Sequence, residues 1–366
     1  MKPKLFFVIN TLQGGGAERV VTTLANHFNR KGYRVFIVCL NYAPASYIPD
    51  AGVEVLFLVR RDKSHHIVNR LLYAFLTFFR LLQLLKKEKP TCVVSFMTSV
   101  NLWTGLTCSL LKIPFMVSER TTPDDTIHKL NYFLKHVSFL VYRQSKAVVL
   151  PSEGMINCFK KNKSFSTLEN FRIIRNPVMT FNSASSNLVY PRKFILAVGR
   201  LDPIKGFDLL IEAFAKLKGL DIDLLISGEG TERDFLCRLI ERFDLADKVK
   251  LIGFKENLQD YYQQAELFVL SSRNEGYPNA LIEAMSLGCP CIATDCEFGP
   301  SEIIEDGQNG ILIPTNNPDA IADAVLNVLT NPILKERISR RARLITRTNS
   351  IERISSKWEN LILSHV

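Results

Sequence analysis

Residues 194–219, FILAVGRLDPIKGFDLLIEAFAKLKG, combine a short apolar run, a turn and an amphipathic segment in immediate succession. The run FILAV has the length and the composition of a buried strand. In GFDLLIEAFAKLKG the apolar residues recur at helical spacing, which indicates a helix with one buried face. A buried strand that leads directly into such a helix is typical of the βαβ unit, whose strands form a parallel sheet.

The same alternation extends in both directions from this stretch. The other strand-like runs are LFFVIN, RVFIVCL, VEVLFL, CVVSFM, FMVSE and AVVLPS before it, and DLLISGEG, VKLIGF, LFVLSS, CPCIAT and ILIP after it. The polar, turn-rich residues 178–193 separate the two sets. We therefore predict an α/β fold of two tandem, Rossmann-like, doubly wound domains, residues 1–180 and 181–366, with a cleft between them. The C-terminal segment 350–366 has a helical pattern and can pack back on the first domain.

Composition and charge limit the possible partners. With 47% hydrophobic and 22% charged residues, the chain is expected to fold. Eight scattered cysteines, and an N-terminus without a cleavable signal pattern, predict a cytoplasmic protein with reduced thiols. Residues 1–180 carry 25 Lys and Arg against 10 Asp and Glu, whereas residues 181–366 carry 21 against 26. The basic half predicts an anionic partner, and the lack of a motif that interleaves aromatic and basic residues argues against nucleic acid.

Segment 71–89, LLYAFLTFFRLLQLLKKEK, is the most apolar part of the basic half. It is too short, and too interrupted by Arg80 and Gln83, to be expected to span a membrane. Residues 60–89 carry eight Lys and Arg against two acids. Two interpretations stay open: a helix that lies in a membrane interface, or a core helix with solvated ends. The first predicts peripheral contact with an anionic membrane surface, on the inner face of the plasma membrane.

Two carboxylates lie eight positions apart in the stretch EGYPNALIEAM. Glu275 follows a predicted strand, Gly276 permits a tight turn, and Pro278 and Asn279 suit the start of a helix that would contain Glu283. Both acids are therefore expected near the carboxyl edge of the sheet, beside a helix N-terminus that attracts anions. This arrangement suits carboxylates that bind hydroxyl groups while amides hold phosphate, although two acids that merely serve the helix N-terminus would have the same pattern.

The segment EGYPNALIEA resembles the E-x7-E motif of the retaining, GT-B-type glycosyltransferases of family 4. Other segments resemble that family in the expected order: NTLQGGGAERVV, RNPV, VGRLDPIKGFDLLIEAF, ISGEG, LIGF and GPSEIIEDGQNGILI. The resemblance covers nearly the whole chain. It implies a GT-B fold and transfer of a sugar from a nucleotide donor with retention at the anomeric carbon.

The resemblance also implies roles for individual residues. Arg200 and Lys205 would hold the diphosphate of the donor, Glu275 would bind hydroxyls of the transferred sugar, and these three are the expected catalytic residues. Glu283 would bind the ribose hydroxyls. The complete set of donor-binding residues that the resemblance implies is Gly15, Gly16, Arg200, Lys205, Phe254, Glu275, Gly276, Asn279, Ala280, Leu281 and Glu283.

The sequence departs from the family after the strand-like run FMVSE. Many relatives have a histidine after the corresponding glutamate, whereas here Glu119 is followed by Arg120. Arg120 would then present a cation toward the sugar, or the contact has moved elsewhere. Glu119 is either an acid at the edge of the core or a group that orients the acceptor. Both residues are candidate acceptor-site residues.

No metal ion or other cofactor is expected. The sequence DID, Asp221 to Asp223, spells a metal-binding D-x-D, but it precedes a strand and so falls at the amino edge of the sheet. Cys289, Cys291 and Cys296 begin a probable buried strand without a nearby histidine, which favours core residues over a metal cluster. The donor is expected to be a UDP-sugar.

The predicted function is transfer of a hexose or N-acetylhexosamine from a UDP-sugar to a glycan acceptor carried on a polyprenyl diphosphate, in surface polysaccharide or glycoconjugate synthesis. The lipid-linked acceptor follows from the basic, apolar first half and from the family resemblance. Two alternatives have the same layout: a sugar-nucleotide epimerase, and a non-catalytic sugar-nucleotide-binding assembly partner.

Overall fold

The computed structural model describes residues 3–60, 67–179 and 187–365. The chain divides into two compact units, each built around one parallel sheet. The first unit contains the described residues up to Pro177 together with the C-terminal helix, and the second runs from Val178 to Ser350. The prediction of two tandem, Rossmann-like α/β units is confirmed.

The first unit has, within its described residues, a seven-stranded sheet in the order β3-β2-β1-β4-β5-β6-β7. Its strands are β1 (Lys4–Ile9), β2 (Arg34–Asn41), β3 (Glu54–Val59), β4 (Cys92–Phe96), β5 (Phe115–Ser118), β6 (Val148–Leu150) and β7 (Phe171–Ile173). The helices between them are α1 (Gly16–Arg30), α2 (Ile67–Glu88), α3 (Thr98–Leu111), α4 (Tyr132–Gln144) and α5 (Glu153–Lys160).

The second unit has, in the part of the chain that is described, six strands in the order β10-β9-β8-β11-β12-β13. They are β8 (Phe194–Val198), β9 (Asp223–Ser227), β10 (Val249–Gly253), β11 (Leu267–Leu270), β12 (Cys291–Thr294) and β13 (Ile311–Ile313). Its helices are α6 (Phe207–Ala215), α7 (Arg233–Arg242), α8 (Leu258–Gln264), α9 (Asn279–Ser286), α10 (Pro300–Ile303), α11 (Pro318–Thr330), α12 (Pro332–Ala342) and α13 (Ile345–Thr348). Helix α14 (Ile351–Leu363) follows and belongs to the first unit.

The strands are apolar along most of their length because side chains on both faces of each sheet pack into a core. In β1 the residues from Leu5 to Ile9 are all buried, and in β9 the residues from Asp223 to Ser227 are too. Strand pairing is parallel, with Leu5 opposite Val35 in the first sheet. Both sheets therefore present the loops that follow their strands along one edge, the carboxyl edge.

Helix α14 completes the core of the first unit. Trp358 is fully buried, and its ring centroid lies 6.1 Å from that of Phe96. The carboxylate of Glu359 accepts hydrogen bonds from Lys31 Nζ at 2.7 Å and from the Tyr33 hydroxyl at 2.6 Å. The second unit begins at Val178 and not at the predicted residue 181, and α14 packs in the first unit, which the sequence analysis allowed for the segment 350–366. Of the predicted linker, residues 180–186 lie outside the described residues.

Helix α2 corresponds to the apolar segment for which two interpretations were open. Its inner face is in the core, where Thr77, Leu81 and Leu85 are buried. On its outer face Phe75 and Phe79 are exposed, with ring centroids 4.2 Å apart. None of the described helices is long and apolar enough to cross a membrane. Of the basic residues predicted there, Arg61, Lys63 and the side chain of Arg70 lie outside the described part.

Candidate active site

The loops after β8 and β11 contact each other at the carboxyl edge of the second sheet. Gly206 has a φ of +62°, and a Cβ atom at this position would lie 2.2 Å from the carbonyl oxygen of Ser271. Only glycine fits such a left-handed, tightly packed position. The Ser271 hydroxyl donates to the Lys205 carbonyl at 2.9 Å, and the Arg273 amide donates to the Ile204 carbonyl at 2.8 Å. The two loops are thereby joined into one surface.

Two of the predicted catalytic residues meet on this surface. Lys205 Nζ lies 2.6 Å from Glu275 Oε1, and the Ser272 hydroxyl donates to the same oxygen at 2.8 Å. Both side chains are largely withdrawn from solvent, so the ion pair is less screened than a pair on an open surface. The pair therefore offers a ligand one cation and one carboxylate that accepts hydrogen bonds, both held at fixed positions.

Arg273, which the sequence analysis did not single out, connects these loops. Its guanidinium forms two parallel hydrogen bonds to Asp208, at 2.9 and 2.7 Å, and a third to the Pro203 carbonyl at 2.6 Å. The hydrogen bonds to Asp208 raise the pKa of Arg273 above its usual value. A bidentate Arg–carboxylate pair fixes orientation as well as distance. The sequence offered one indication that Arg273 belongs to the site, which is its position two residues before Glu275.

Arg200 lies at the same edge, two residues after the end of β8. Its side chain is 75% exposed, and its Nε donates to Asp202 Oδ2 at 2.5 Å. The neighbouring Gly199 packs against Lys205: a Cβ atom built on Gly199 would lie 3.4 Å from Lys205 Cγ. The structure thus brings the predicted basic pair to one edge, with Lys205 engaged by Glu275 and the head group of Arg200 directed to solvent.

Glu283 is enclosed more deeply than the other predicted residues. It lies in α9, one turn from the helix start at Asn279, and is almost fully buried. Its carboxylate accepts a hydrogen bond from the Tyr262 hydroxyl at 3.4 Å. Four side chains were predicted to bind the donor together. Lys205 and Glu275 are in contact, and Arg200 is exposed at the same edge of the sheet. Glu283 is buried in α9. A contact between Glu283 and a ribose stays a prediction.

The remaining donor-binding predictions fall in both units. Gly276 is buried beside Glu275, while Asn279, Ala280 and Leu281 form the first turn of α9. Phe254 is exposed directly after β10. In the first unit, Gly15 is the N-cap of α1 and Gly16 its first residue, so both lie at the carboxyl edge of the first sheet. The sequence analysis also did not single out Gly228 in the second unit. A Cβ atom at this position would lie 1.8 Å from the Gly199 carbonyl oxygen.

Glu119, a candidate acceptor residue, is a buried acid of the first unit. It accepts hydrogen bonds from Thr98 Oγ1 at 2.9 Å, from Asn101 Nδ2 at 2.8 Å and from the Tyr142 hydroxyl. Burial raises the pKa of Glu119 to about 7, which the three donors only partly offset. The side chain has no exposed surface, which agrees with the alternative of an acid at the edge of the core, and a contact with the acceptor stays a prediction.

Arg120 turns inward next to Glu119. Its Nη1 donates to Asn176 Oδ1 at 2.5 Å, and its guanidinium carbon lies 5.5 Å from the ring centroid of Phe96 and 6.0 Å from that of Trp358. Burial lowers the pKa of Arg120, although a guanidinium stays protonated at neutral pH. Within the described residues its Nε and Nη2 have no hydrogen-bond partner. A contact between Arg120 and the sugar or the acceptor stays a prediction.

Two sequence patterns resemble metal sites, the D-x-D that ends at Asp223 and the cluster of cysteines, and the structure gives the surroundings of each. Asp223 is the first residue of β9, at the amino edge, where it accepts from the Tyr190 hydroxyl at 2.7 Å. Cys289 and Cys291 are fully enclosed in the second core, and burial raises the pKa of both thiols. Elsewhere Asp124 accepts hydrogen bonds from His128, at 2.7 Å, and from the Cys158 thiol, which together lower the pKa of Asp124.

Comparison with known proteins places this architecture in a family. The sequence profile described as glycosyl transferases group 1 matches residues 178–345, and the profile of glycosyltransferase family 4 matches residues 14–180. An N-acetylgalactosamine-N,N'-diacetylbacillosaminyl-diphospho-undecaprenol 4-alpha-N-acetylgalactosaminyltransferase of Campylobacter jejuni is 29% identical over 96% of both chains. The amylovoran biosynthesis glycosyltransferase AmsD of Erwinia amylovora is 25% identical over 98% of this chain and 99% of its own.

Among solved structures, Anabaena HepE in complex with UDP-glucose superposes with a TM-score of 0.81 at 17% identity, over 99% of this chain and 100% of that one. Two Rossmann-like units in tandem, with this match, define the GT-B fold. The two profiles, which together cover residues 14–345, show that the chain belongs to glycosyltransferase family 4.

Proposed function

We propose that the chain transfers a hexose or N-acetylhexosamine from a UDP-sugar to a glycan on a polyprenyl diphosphate, with retention, in the synthesis of a surface polysaccharide or glycoconjugate. Relatives that match nearly end to end support the acceptor, because the Campylobacter jejuni enzyme is named for an undecaprenol-linked acceptor. That name also specifies an alpha linkage, which an α-linked nucleotide sugar gives when configuration is retained. The UDP-glucose bound to HepE supports the donor.

The single observation that carries the proposal is the Lys205–Glu275 ion pair at the carboxyl edge of the second sheet. When a nucleotide sugar reacts, negative charge accumulates on the departing diphosphate. A preorganised cation at that place lowers the barrier, and Lys205 is held ready by Glu275 while Arg200 adds a second, exposed cation. The carboxylate of Glu275 can accept hydrogen bonds from sugar hydroxyls and so position the transferred group.

Retention follows in this proposal from attack on the face from which the donor leaves. The bond between the anomeric carbon and the diphosphate oxygen breaks, and the acceptor oxygen bonds to the same face of that carbon. The acceptor hydroxyl passes its proton to the departing phosphate oxygen, so charge and atoms balance. Glu275 acts on hydroxyl groups and not as the nucleophile, and no residue needs to form a covalent sugar intermediate.

The role of the nucleotide end is assigned to α9 and the loop after β10. Helix α9 begins at Asn279, shortly after Glu275 and Gly276, and a helix N-terminus favours an anion. Backbone near the exposed Phe254 would contact the uracil, and Glu283 would take the ribose. In the first unit, Gly15 and Gly16 at the start of α1 would approach the diphosphate or the acceptor.

The reaction is proposed to need no metal ion, because Arg200 and Lys205 supply the positive charge that a divalent cation provides in other transferases. Transfer measured in EDTA and in added magnesium or manganese tests this directly. Rates that agree within about twofold support the proposal, whereas loss in EDTA with recovery on adding a cation contradicts it.

We place the enzyme in the cytoplasm, peripherally on the inner membrane face where a polyprenyl-linked acceptor is accessible. The test of the whole proposal is a panel of UDP-sugars offered with a short polyprenyl-diphosphate-linked sugar, with products identified by mass. A product one sugar heavier, made only when donor and acceptor are both present, supports it. A new nucleotide sugar formed without acceptor would instead indicate an epimerase, and binding without any turnover would indicate an assembly partner.

A further inference from the structure

Three side chains that carry metal-binding groups come together in the first unit, and none of them is among the predicted donor or acceptor residues. Asp124 and His128 lie in two short 3-10 turns after β5, and Cys158 lies in α5. Each residue offers one ligand atom, a carboxylate oxygen, an imidazole nitrogen or the thiol sulfur, and these three atoms lie within 4.8 Å of one another. We refer to Asp124, His128 and Cys158 as the Asp–His–Cys cluster.

Hydrogen bonds to the carboxylate hold the cluster together. His128 Nδ1 lies 2.7 Å from Asp124 Oδ1, and the Cys158 thiol donates to the same carboxylate. Cys158 is buried, whereas the side chain of His128 is 19% exposed and that of Asp124 is 46% exposed. The cluster is therefore enclosed at its sulfur and open to solvent at its carboxylate, which gives an ion a path of entry.

The imidazole of His128 is hydrogen-bonded at one nitrogen only. Its Nε2 is buried and has no hydrogen-bond partner within the part of the chain that the structure describes. A buried polar atom without a protein partner is often one that binds a water molecule or an ion. The cluster thus contains an unsatisfied nitrogen beside a sulfur and a carboxylate.

The donor types favour zinc over the commoner divalent cations. Magnesium and calcium take oxygen ligands, whereas zinc binds sulfur, nitrogen and oxygen together, at about 2.0–2.3 Å. Small rotations of three side chains that are already this close bring each within such a distance of one ion. The charges also balance, because one thiolate and one carboxylate cancel the two positive charges of zinc while histidine binds as the neutral form.

Two lysines near the cluster oppose a cation only weakly. The charge of Lys161 acts on Asp124, but Lys161 is exposed, so solvent and salt screen it. Lys135 Nζ donates to the His128 carbonyl oxygen at 3.1 Å, and is thereby engaged with the backbone of the turn. Neither lysine forms a printed ion pair with Asp124, whose partners are His128 and Cys158.

We propose that the Asp–His–Cys cluster binds one zinc ion, with Asp124, His128 and Cys158 as ligands and water in the fourth position. On binding, the Cys158 sulfur forms a bond to zinc and releases its proton to solvent. Asp124 exchanges the hydrogen bond from the thiol for a bond to the ion, and His128 binds through an unprotonated ring nitrogen.

The ion would join two segments that follow neighbouring strands. Strands β5 and β6 are paired, so the turns after β5 and helix α5 after β6 both lie at the carboxyl edge of the first sheet. A zinc ion between them is a cross-link of the folded chain and takes no part in the proposed transfer reaction. The sequence analysis expected no metal ion because Asp124, His128 and Cys158 share no metal-binding spacing; only the fold brings them together.

The first test is zinc binding by the reduced chain after dialysis against a chelator, titrated in competition with a chromophoric chelator. The wild-type protein is expected to bind about one zinc ion per chain. Cys158→Ser and His128→Asn should each bind zinc at least about tenfold more weakly. Both substitutions keep a hydrogen-bond donor beside Asp124 while they remove the metal-binding group, so the loss of zinc is separated from a loss of packing.

Cys237→Ser and His136→Asn are the matched controls, because both residues are exposed and lie outside the cluster. Each control should bind zinc as the wild-type protein does. Thermal unfolding gives a comparison within each protein that does not depend on its starting stability. Excess zinc should raise the unfolding midpoint of the wild-type protein by about 2 °C or more and leave that of Cys158→Ser unchanged.

Cobalt(II) in place of zinc identifies the ligands directly. The wild-type complex should show the visible absorption of a four-coordinate cobalt ion together with a thiolate-to-cobalt charge-transfer band, and Cys158→Ser should lack that band.

The inference is overturned if the wild-type protein binds no zinc, if both cluster variants bind zinc as tightly as the wild type, or if bound cobalt shows no thiolate band. It is also overturned if magnesium or calcium binds more tightly than zinc and is lost in Asp124→Asn, since oxygen ligands alone would then account for the site.

The proposed reaction can fail separately, because zinc binding is measured without donor or acceptor. In the test of transfer in EDTA, Cys158→Ser is the reference, since it holds no zinc at the cluster. An effect of EDTA on the wild-type protein but not on this variant comes from the cluster, and the metal-free reaction stands. An equal effect on both proteins shows that a metal at another place takes part, which contradicts the proposed reaction and leaves the zinc site to its own measurements.

Discussion

Lys205 Nζ and Glu275 Oε1 lie 2.6 Å apart although 70 positions separate the two residues in the chain. The contact exists because the turn before α6 and the loop after β11 meet through Gly206 and Ser271. It is the feature on which the proposed chemistry depends.

Removing either member of this pair should slow transfer strongly. Lys205→Ala and Glu275→Ala are each expected to lower kcat by more than about tenfold, which is about 1.4 kcal/mol, because each loses an interaction with the reacting donor. Lys216→Ala is the control, since Lys216 pairs with Asp319 on the exposed surface. Steady-state kinetics with the identified donor would measure the effect. A smaller loss in either active-site variant would remove that residue from the mechanism.

Gly206 should tolerate no side chain. A Cβ atom would meet the Ser271 carbonyl at 2.2 Å with φ at +62°, so Gly206→Ala must separate the two loops or strain the backbone. We expect a loss of roughly 1–3 kcal/mol in the stability of the second unit, together with lower activity. Gly219→Ala is the matched control, because nothing lies within 4 Å of its Cβ position. Urea unfolding of both variants tests the comparison, and equal midpoints would show that the contact is not tight.

The buried Glu119 should make the first unit less stable as the pH rises. Its pKa is about 7 in the folded protein and near 4.5 when unfolded, so the folded state holds the proton more tightly. The stabilisation is complete below pH 4.5 and is lost as the pH rises toward 7. Its size is of order 1–3 kcal/mol. Glu119→Gln cannot titrate, so the difference in unfolding free energy between variant and wild type should change between pH 5 and pH 7, in favour of the variant at the higher pH. A difference that does not vary with pH would contradict this.

Trp358 should be essential to the first unit even though it follows the second in the chain. Replacing a fully buried tryptophan by alanine costs about 3–5 kcal/mol, here at the contact with Phe96. Leu363→Ala, on the same helix but exposed, should cost less than about 1 kcal/mol. Hydrogen exchange resolved by peptide would show faster exchange in the first unit for Trp358→Ala. Faster exchange confined to the second unit would contradict the assignment of α14.

Local patterns alone were sufficient to predict the two α/β units, because strand and helix periodicities depend on which residues are buried within each element. From the family resemblance Lys205 was predicted to hold the donor diphosphate and Glu275 to bind sugar hydroxyls, and the structure brings these two side chains into contact. Arg273 was missed because it joins the two loops through hydrogen bonds to Asp208 and to the Pro203 carbonyl, and both partners are distant in sequence. No periodicity encodes such a contact.

The sequence by itself determined the fold class, the order of the elements and the stretches that supply the site, since these follow from local composition. Only the tertiary structure decided that Glu119 is buried among Thr98, Asn101 and Tyr142, and that α14 belongs to the first unit. The physical reason is that burial and hydrogen-bond partners depend on elements packed from distant parts of the chain, which no local pattern specifies.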